Sequence, residues 1–526
     1  MSRLLAVFIL VMLLQGSCHS YRILGLFPHA GESHYQIFQP IMKALAERGH
    51  DVTVLSHFPE RGNITKLRVL LIEEHATPSL INVMDLALFE NRRPYNHFLE
   101  FFMLYDWGVG SCHKALGSKA LQGLLAAGES FDLVITEIFN TDCMLAIAHK
   151  LNAPNIGLSS CTLQPWHLDR VGLPNFPSYV PALFMGYNED MTFGQRLANW
   201  ITLQSFKFAY RMFNDRAANK IIAEHLGPGI PDVGDLAKRT SLIMVNTHYS
   251  LSGTKPLPPS VVEIGGGYLF SSHENTLDSK LDPELKNFLD TADNGVIYIS
   301  WGSMIRAETL PPTKRDGILQ ALAMQPQKVL WKWENETIPN KPDNVFIRKW
   351  MPQRDILCHP KVRVFMTHGG LLGSSEAAYC GVPVIVTPMY GDQFFNGASL
   401  EHRGMGVVLP YEEISKETVH GALQKTLDVS YLENAKRVSY AYKNRPKNPL
   451  DTAVWWAEHV IRTGGAPLTR SHSIHLPWYI YHSLDVIATL LLGILIFLCG
   501  WIWFLRRIFA SNRRKASTNS EKIKTN

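Results

Sequence analysis

Along most of the chain, short apolar runs rich in β-branched residues alternate with longer stretches of helical period. Tyr21 to Phe27, Val52 to Ser56, Ser241 to Asn246 and Val261 to Ile264 have the length and composition of buried strands. Gly295 to Trp301, Lys328 to Trp333, Val345 to Trp350, Val362 to Thr367 and Pro383 to Pro388 repeat the pattern in the second half. Between the first two runs an apolar-periodic helix ends at Arg48 and is stopped by Gly49. Strand, helix and strand in that order predict a parallel sheet, so both halves read as α/β. Glu412 to Arg462 reads as helical. Two apolar stretches stand apart. Leu4 to Leu14 follows Arg3 and gives way to small and polar residues by Ser20, which is the form of a secretory signal peptide. Val486 to Leu505 is 20 consecutive apolar or small residues, long enough to span a bilayer as a helix.

The 526 residues exceed one core and suit two domains of ordinary size. The expected order is a signal peptide (1–20), a first α/β domain (21–245), a linker (246–280) and a second α/β domain (281–465). A juxtamembrane segment (466–485), a transmembrane helix (486–505) and a basic tail (506–526) follow. Trp501 and Trp503 mark one membrane interface, and Arg506, Arg507, Arg513, Arg514 and Lys515 come directly after. The positive-inside rule then puts the tail in the cytosol and the body in the lumen, a single-pass type I orientation. The tail holds seven Lys/Arg and one Glu, so the net charge of +5 leaves the rest of the chain slightly acidic. That removes the case for a nucleic-acid-binding face.

A luminal body makes Asn63-Ile-Thr and Asn335-Glu-Thr candidate glycosylation acceptors. Lys522 and Lys524 resemble a dilysine retrieval signal of the endoplasmic reticulum. Seven scattered cysteines form no CxxC or Cys/His metal spacing, so the expectation is free buried thiols and no metal.

The chemistry gathers between Trp350 and Asn396. The strand Val362 to Thr367 breaks at His368-Gly369-Gly370, a helical stretch follows, and a second strand leads to Asp392-Gln393. Glycines at such a turn let a ligand approach the backbone, and the helix N-terminus presents free N–H groups to a phosphate. Glu376 stands where it can bond ribose hydroxyls. Trp350-x-Pro-Gln353, Thr367-His368-Gly369-Gly370, Glu376-Ala, Gly381-Val-Pro and Asp392-Gln393-x-x-Asn396 fall in this order. The stretch closely resembles the donor-binding signature of the UDP-glycosyltransferases, which include the UDP-glucuronosyltransferases, and the resemblance extends over nearly the whole chain. The wording from Ser300 to Thr309 looks like the membrane-bound insect branch.

The resemblance implies two facing Rossmann-like domains of GT-B type, a UDP-sugar as co-substrate, no metal and no other cofactor. Trp350 would stack on uracil, and Gln353 and Glu376 would hold the ribose. Ser303, Thr367, His368, Gly369 and Gly370 would meet the diphosphate, and Asp392 and Gln393 the sugar hydroxyls. His34 matches the family's catalytic histidine; His29 has no such counterpart and reads as a loop residue. The family's aspartate partner falls at Glu137, one methylene longer, and Asp142 is a second candidate. Leu372 stands where vertebrate relatives place Asn. That change and the lack of a cation beside Asp392-Gln393 favour glucose over glucuronate.

Two aromatic segments bear on the acceptor. Residues 92–109, with Tyr95, Phe98, Phe101, Phe102, Met103, Leu104, Tyr105 and Trp107, read as a core helix, a wall of an acceptor pocket or a membrane-resting face. Gln164 to Tyr187, irregular and apolar, is expected to cover a hydrophobic pocket. The expected activity is inverting transfer of a hexose to a small lipophilic acceptor, as in detoxification. The alternative is a membrane-tethered binding protein without turnover. Association with like or unlike chains stays open.

Overall fold

A computed structural model describes residues 20–60, 62–73, 80–90, 92, 96–270 and 281–524. Residues 1–19, which fall within the expected signal peptide and include Cys18, and Tyr95 lie outside the described residues, and of Lys522 and Lys524 only the backbone is described. The first sheet has seven parallel strands: β1 (Arg22–Leu26), β2 (Asp51–Ser56), β3 (Leu67–Leu71), β4 (Leu133–Glu137), β5 (Asn155–Ser159), β6 (Leu242–Val245) and β7 (Val261–Glu263). Their order is β3-β2-β1-β4-β5-β6-β7. The second sheet has six, all parallel: β8 (Val296–Ser300), β9 (Lys328–Lys332), β10 (Val345–Arg348), β11 (Val362–Thr367), β12 (Val384–Val386) and β13 (Gly406–Val408), in the order β10-β9-β8-β11-β12-β13. Helices cover both faces, so the central strands are buried from end to end and read as continuous apolar runs.

In each sheet the strand order reverses once, between β1 and β4 and between β8 and β11. Chain ends diverge at such a point and leave a crevice beyond the carboxyl ends of the strands. Both crevices open on one cleft.

The helices that shape it are α1 (Glu32–Glu47), α2 (Asn96–Leu116), α3 (Leu371–Cys380) and α4 (Gln393–His402). The last helix of the body, α5 (Pro449–Arg462), returns to the first sheet and packs on α1. Its Glu458 lies 3.3 Å from His50 and 3.4 Å from Arg48. The first half reaches across in turn. Met84–Asp85 pairs in parallel with Ile305–Arg306, the Leu86 N–H donates to Thr309 Oγ1 at 2.8 Å, and Phe89 stacks on Tyr390. Met84, Leu86 and Phe89 therefore belong to the core of the second sheet, a crossing that the linear reading of the domains did not contain.

The cysteine expectation is corrected at one pair. Cys358 and Cys380 form a disulfide with their Cα atoms 4.7 Å apart. The two are 22 residues apart in sequence, but the short helix Gln353–Leu357 and α3 pack side by side and bring their last residues together. Cys112, Cys143 and Cys161 are free and buried, as expected, and Cys499 is free and exposed.

A separate unit, Ser471 to Asn526, contains α6 (Leu484–Lys524). Among the described residues it is the one helix long and apolar enough to cross a membrane, with a mean hydropathy of 2.5 over its most apolar 18-residue window. The helix continues through the basic tail, which contains no Gly or Pro to stop it.

Candidate active site

The cleft has a volume of about 900 Å³ and takes its walls from both halves of the body. On the first wall, His34 is the third residue of α1 and Glu137 is the last of β4. Because β1 and β4 are neighbours in register, the loop after β1 and the end of β4 meet. His34 Nδ1 lies 2.7 Å from Glu137 Oε1, and the two side chains are 18% and 3% exposed. A buried carboxylate at that distance fixes the proton on Nδ1 and leaves the Nε2 lone pair for other work. Ser160, just beyond β5, adds a hydroxyl 3.0 Å from Nδ1 and 3.4 Å from Nε2. Phe139 meets the imidazole edge-on, and His29 packs beside it with ring centroids 4.5 Å apart. Burial, then the neighbouring His34 and His57, hold His29 well below the ordinary histidine value, so it stays neutral.

Asp142 stands elsewhere. It is buried in an ion pair with Arg170 and accepts a hydrogen bond from the Tyr210 hydroxyl at 3.0 Å. Of the two carboxylates weighed as partner of His34, Glu137 makes the contact and Asp142 does not.

The facing wall comes from the second sheet. Ser303, Trp350, Gln353, His368, Gly370, Glu376, Asp392 and Gln393 line the cleft, while Thr367 and Gly369 stand behind that wall. His368 follows β11 and fits between two glycines. A Cβ on Gly302 would lie 2.7 Å from the imidazole, and one on Gly370 would lie 2.5 Å from it. Burial first, and the charge of Lys332 second, lower its pKa to about 4. It is therefore neutral at pH 7 and donates from one nitrogen. The Gln353 amide donates to Glu376 Oε2 at 2.5 Å, and the nearby disulfide ties the helices that carry the two. Trp350 is 56% exposed and offers an indole face.

Asp392 accepts from the Asn396 amide at 2.9 Å. Burial raises its pKa, and Asn396 and the charge of His34 across the cleft oppose the rise. Gln393 Oε1 accepts the backbone N–H groups of Met389 (2.8 Å) and Tyr390 (3.2 Å). Its carbonyl thus holds the loop, and the amide nitrogen is the end left for a ligand. Asn396 also donates to the Gly369 carbonyl at 2.9 Å, which explains how a residue behind the wall still sets its shape.

Near His34 the cleft is apolar, with Met103, Leu104 and Trp107 of α2 beside Phe139, Leu183 and Phe184. The helix of the 92–109 segment has one side in the core and another on the cleft. Phe101 is in the core, the three residues named face the cleft, and Leu99 and Phe102 are exposed. The 164–187 segment supplies Gln164, Leu183 and Phe184 to the cleft and covers a second, apolar cavity of about 50 Å³ beside Leu173 and Phe176. Asn63 and Asn335 are exposed.

Sequence reasoning passed over Ser160 and Lys332. Both sit where parallel strands end, the place where chemistry gathers in such sheets. Lys332 is 6% exposed on its side chain, pairs with Glu334 at 2.7 Å and lines the cleft beside Trp350.

The family model described as "UDP-glucoronosyl and UDP-glucosyl transferase" matches residues 24–516. The chain is 37% identical to the UDP-glycosyltransferase UGT5 of Dactylopius coccus over 477 residues, which is 90% of this chain and 89% of that one. It is 33% identical to UDP-glucosyltransferase 2 of the same organism, covering 99% of both chains. Against the Homo sapiens UDP-glucuronosyltransferase 1A9 the identity is 31%, over 88% of this chain and 87% of that one. The fold is similar to the solved structure of the glycosyltransferase VinC in complex with DTDP, with a TM-score of 0.55 and 16% identity over 84% of this chain and 100% of that one. The chain therefore belongs to the UDP-glycosyltransferase family and is an enzyme of the two-domain GT-B fold.

Proposed function

We propose that this UDP-glycosyltransferase moves a hexose, glucose in preference to glucuronate, from a UDP-sugar to a hydroxyl of a small lipophilic acceptor, with inversion at the anomeric carbon. One observation carries this reading. His34 is oriented by buried Glu137 in a cleft whose opposite wall bears the donor motif. His34 Nε2 takes the acceptor proton as the acceptor oxygen bonds to the anomeric carbon. The bond from that carbon to the diphosphate oxygen breaks on the opposite face, and UDP leaves with the electron pair. Glu137 stabilises the imidazolium that forms. Ser303, His368, the first amides of α3 and Lys332 meet the charge on the diphosphate, and the reading assigns no metal to this task.

Glucose is favoured because the groups assigned to the sugar, Asp392 and Gln393, offer no cation to a uronate. Lys332 is paired with Glu334, and its field acts on His368, on the diphosphate side. Leu372 lines the cleft as an apolar residue. The apolar surface beside His34 supports a lipophilic acceptor, as in clearance of xenobiotics. The contact between Glu137 and His34 weighs against a binding protein without turnover, since a glutamate in place of the family's aspartate still holds the histidine.

The same reading places the body in the lumen of the endoplasmic reticulum, anchored by α6, with residues 1–20 as signal, Asn63 and Asn335 as glycosylation sites and Lys522 and Lys524 as retrieval signal. A disulfide in the donor domain suits an oxidising compartment. The deciding experiment is His34→Ala. Transfer is lost while UDP still binds; retained turnover refutes His34 as the base.

A further inference from the structure

The turn ending at Asp392 and the start of α4 at Gln393 form one segment, Met389–Phe394, yet part of what holds it comes from the other half of the molecule. Arg92 and Glu100, on the first side, form an ion pair at 2.5 Å with side chains 14% and 12% exposed. The Gly391 N–H donates to Glu100 Oε2 at 2.9 Å. Arg92 donates to the Met389 carbonyl, and its guanidinium lies 4.2 Å from the centre of the Phe394 ring. The pair thus grips the backbone on both sides of Tyr390 and one ring beyond Gln393. From within, Gln393 bonds the Met389 and Tyr390 N–H groups. Every polar contact of Glu100 described above points at this segment or at Arg92, and none is used by the proton transfer. Glu100 also lies on α2, one turn before Met103 and Leu104, which face the acceptor region.

We propose that Arg92 and Glu100 are positioning residues that set the sugar-recognition segment, and with it the placement of Asp392, from the first domain. The proposal rests on the reading that Asp392 holds the sugar. Glu100 occupies a backbone N–H immediately before Asp392, so its removal frees the peptide that aims the Asp392 carboxylate. The sugar feels this change directly. UDP alone does not, because Trp350 and Gln353 follow β10, His368 follows β11 and Glu376 lies on α3. A residue that served only to stabilise the fold would weaken UDP and UDP-sugar binding alike.

The test compares Glu100→Ala, Glu100→Gln, Arg92→Met and Asp392→Asn on the full-length enzyme in membranes, by KM for UDP-glucose, kcat, the Kd of UDP and the thermal midpoint. Loss of a charge-assisted bond predicts that Glu100→Ala raises KM for UDP-glucose about tenfold or more while the Kd of UDP stays within about twofold. Glu100→Gln keeps an oxygen for the Gly391 N–H and recovers most of the loss. Arg92→Met shows the same split between sugar and UDP, and decides the matter if Glu100→Ala does not fold. An unchanged KM in both Glu100→Ala and Arg92→Met, beside a raised KM in Asp392→Asn, overturns the proposal. So does an equal loss for UDP and UDP-glucose. If Asp392→Asn itself leaves KM unchanged, the assignment of Asp392 to the sugar fails first.

Discussion

Replacing Glu137 by Gln separates charge from shape at the centre of the account. The amide keeps an oxygen near His34 Nδ1, now 2.7 Å from the carboxylate, but cannot stabilise the imidazolium as an ion. Two opposite charges at about 4 Å and an effective dielectric near 20 interact by about 4 kcal/mol, an upper bound here because Ser160 and solvent share the screening. A charged hydrogen bond exceeds a neutral one by about 1–2 kcal/mol. The loss therefore lies between these, about 2–4 kcal/mol, or roughly 30- to 1,000-fold in kcat. Folding should change little, since a neutral amide is easier to bury than a carboxylate. Asp142→Asn is the contrasting case. It breaks the buried pair with Arg170 and costs about 3–5 kcal/mol of stability, while the folded fraction keeps its kcat. Initial rates of UDP release, normalised to folded enzyme by UDP binding, read the first effect; thermal unfolding reads the second. A Glu137→Gln enzyme with near-normal kcat, or an Asp142→Asn enzyme that is stable but inactive, would refute the assignment of the partner. Glu137→Asp adds a sharper point. Although aspartate is the residue the family resemblance leads one to expect, shortening by one C–C bond of about 1.5 Å opens the contact here, so it should not restore full activity.

Other expectations follow from single features of the site. Cys380→Ser removes the closure of a 22-residue loop and should cost about 3 kcal/mol. It should also weaken UDP, because the bridge ties the helices of Gln353 and Glu376; calorimetry with and without UDP checks both. Trp350→Ala should weaken UDP by about 1–3 kcal/mol, the usual worth of an aromatic platform, with little change in unfolding, given its exposure. Burial holds His29, His57 and His167 below their ordinary value, His248 near about 3 and His368 near about 4. The unfolded chain takes up these histidine protons first as pH drops through 6.5, which lowers stability, whereas Asp215, pushed up to about 7, and Glu100, Asp142, Glu263 and Asp392, all raised by burial, gain protons first in the fold and oppose the fall. His248→Gln should therefore reduce the histidine share of the loss, giving a smaller drop in thermal midpoint between pH 6.5 and 5 than the native chain shows, and a larger drop would contradict this sign.

Most strands were legible because both faces of a parallel sheet are covered, which writes a central strand such as Val296–Ser300 as a mostly apolar run; Asn155–Ser159 and the edge strands Leu67–Leu71 and Gly406–Val408 went unread. The donor motif was legible because its residues lie in one stretch of 47, Trp350 to Asn396. What the chain order hid depends on neighbours far apart in sequence. The choice between Glu137 and Asp142 turns on β1 and β4 being adjacent, which no local pattern states. Cys358 meets Cys380 only because two helix ends meet. Arg92 and Glu100 lie in a segment read for its aromatic residues, so their reach to Gly391 and Met389 went unseen. Gln393 is expected to meet the sugar, but its side-chain carbonyl is taken up by the Met389 and Tyr390 N–H groups. Burial decided this, and burial is a property of the fold.

The measurement that bears most directly on the central claim is UDP release from membranes holding the full-length enzyme. UDP-glucose and UDP-glucuronate are offered separately, each with a panel of phenols and lipophilic alcohols, and His34→Ala runs beside the native chain. The account predicts release with UDP-glucose that depends on acceptor and vanishes in His34→Ala, whose UDP affinity is unchanged. Release that persists in His34→Ala, or that occurs with UDP-glucuronate and not with UDP-glucose, would contradict it.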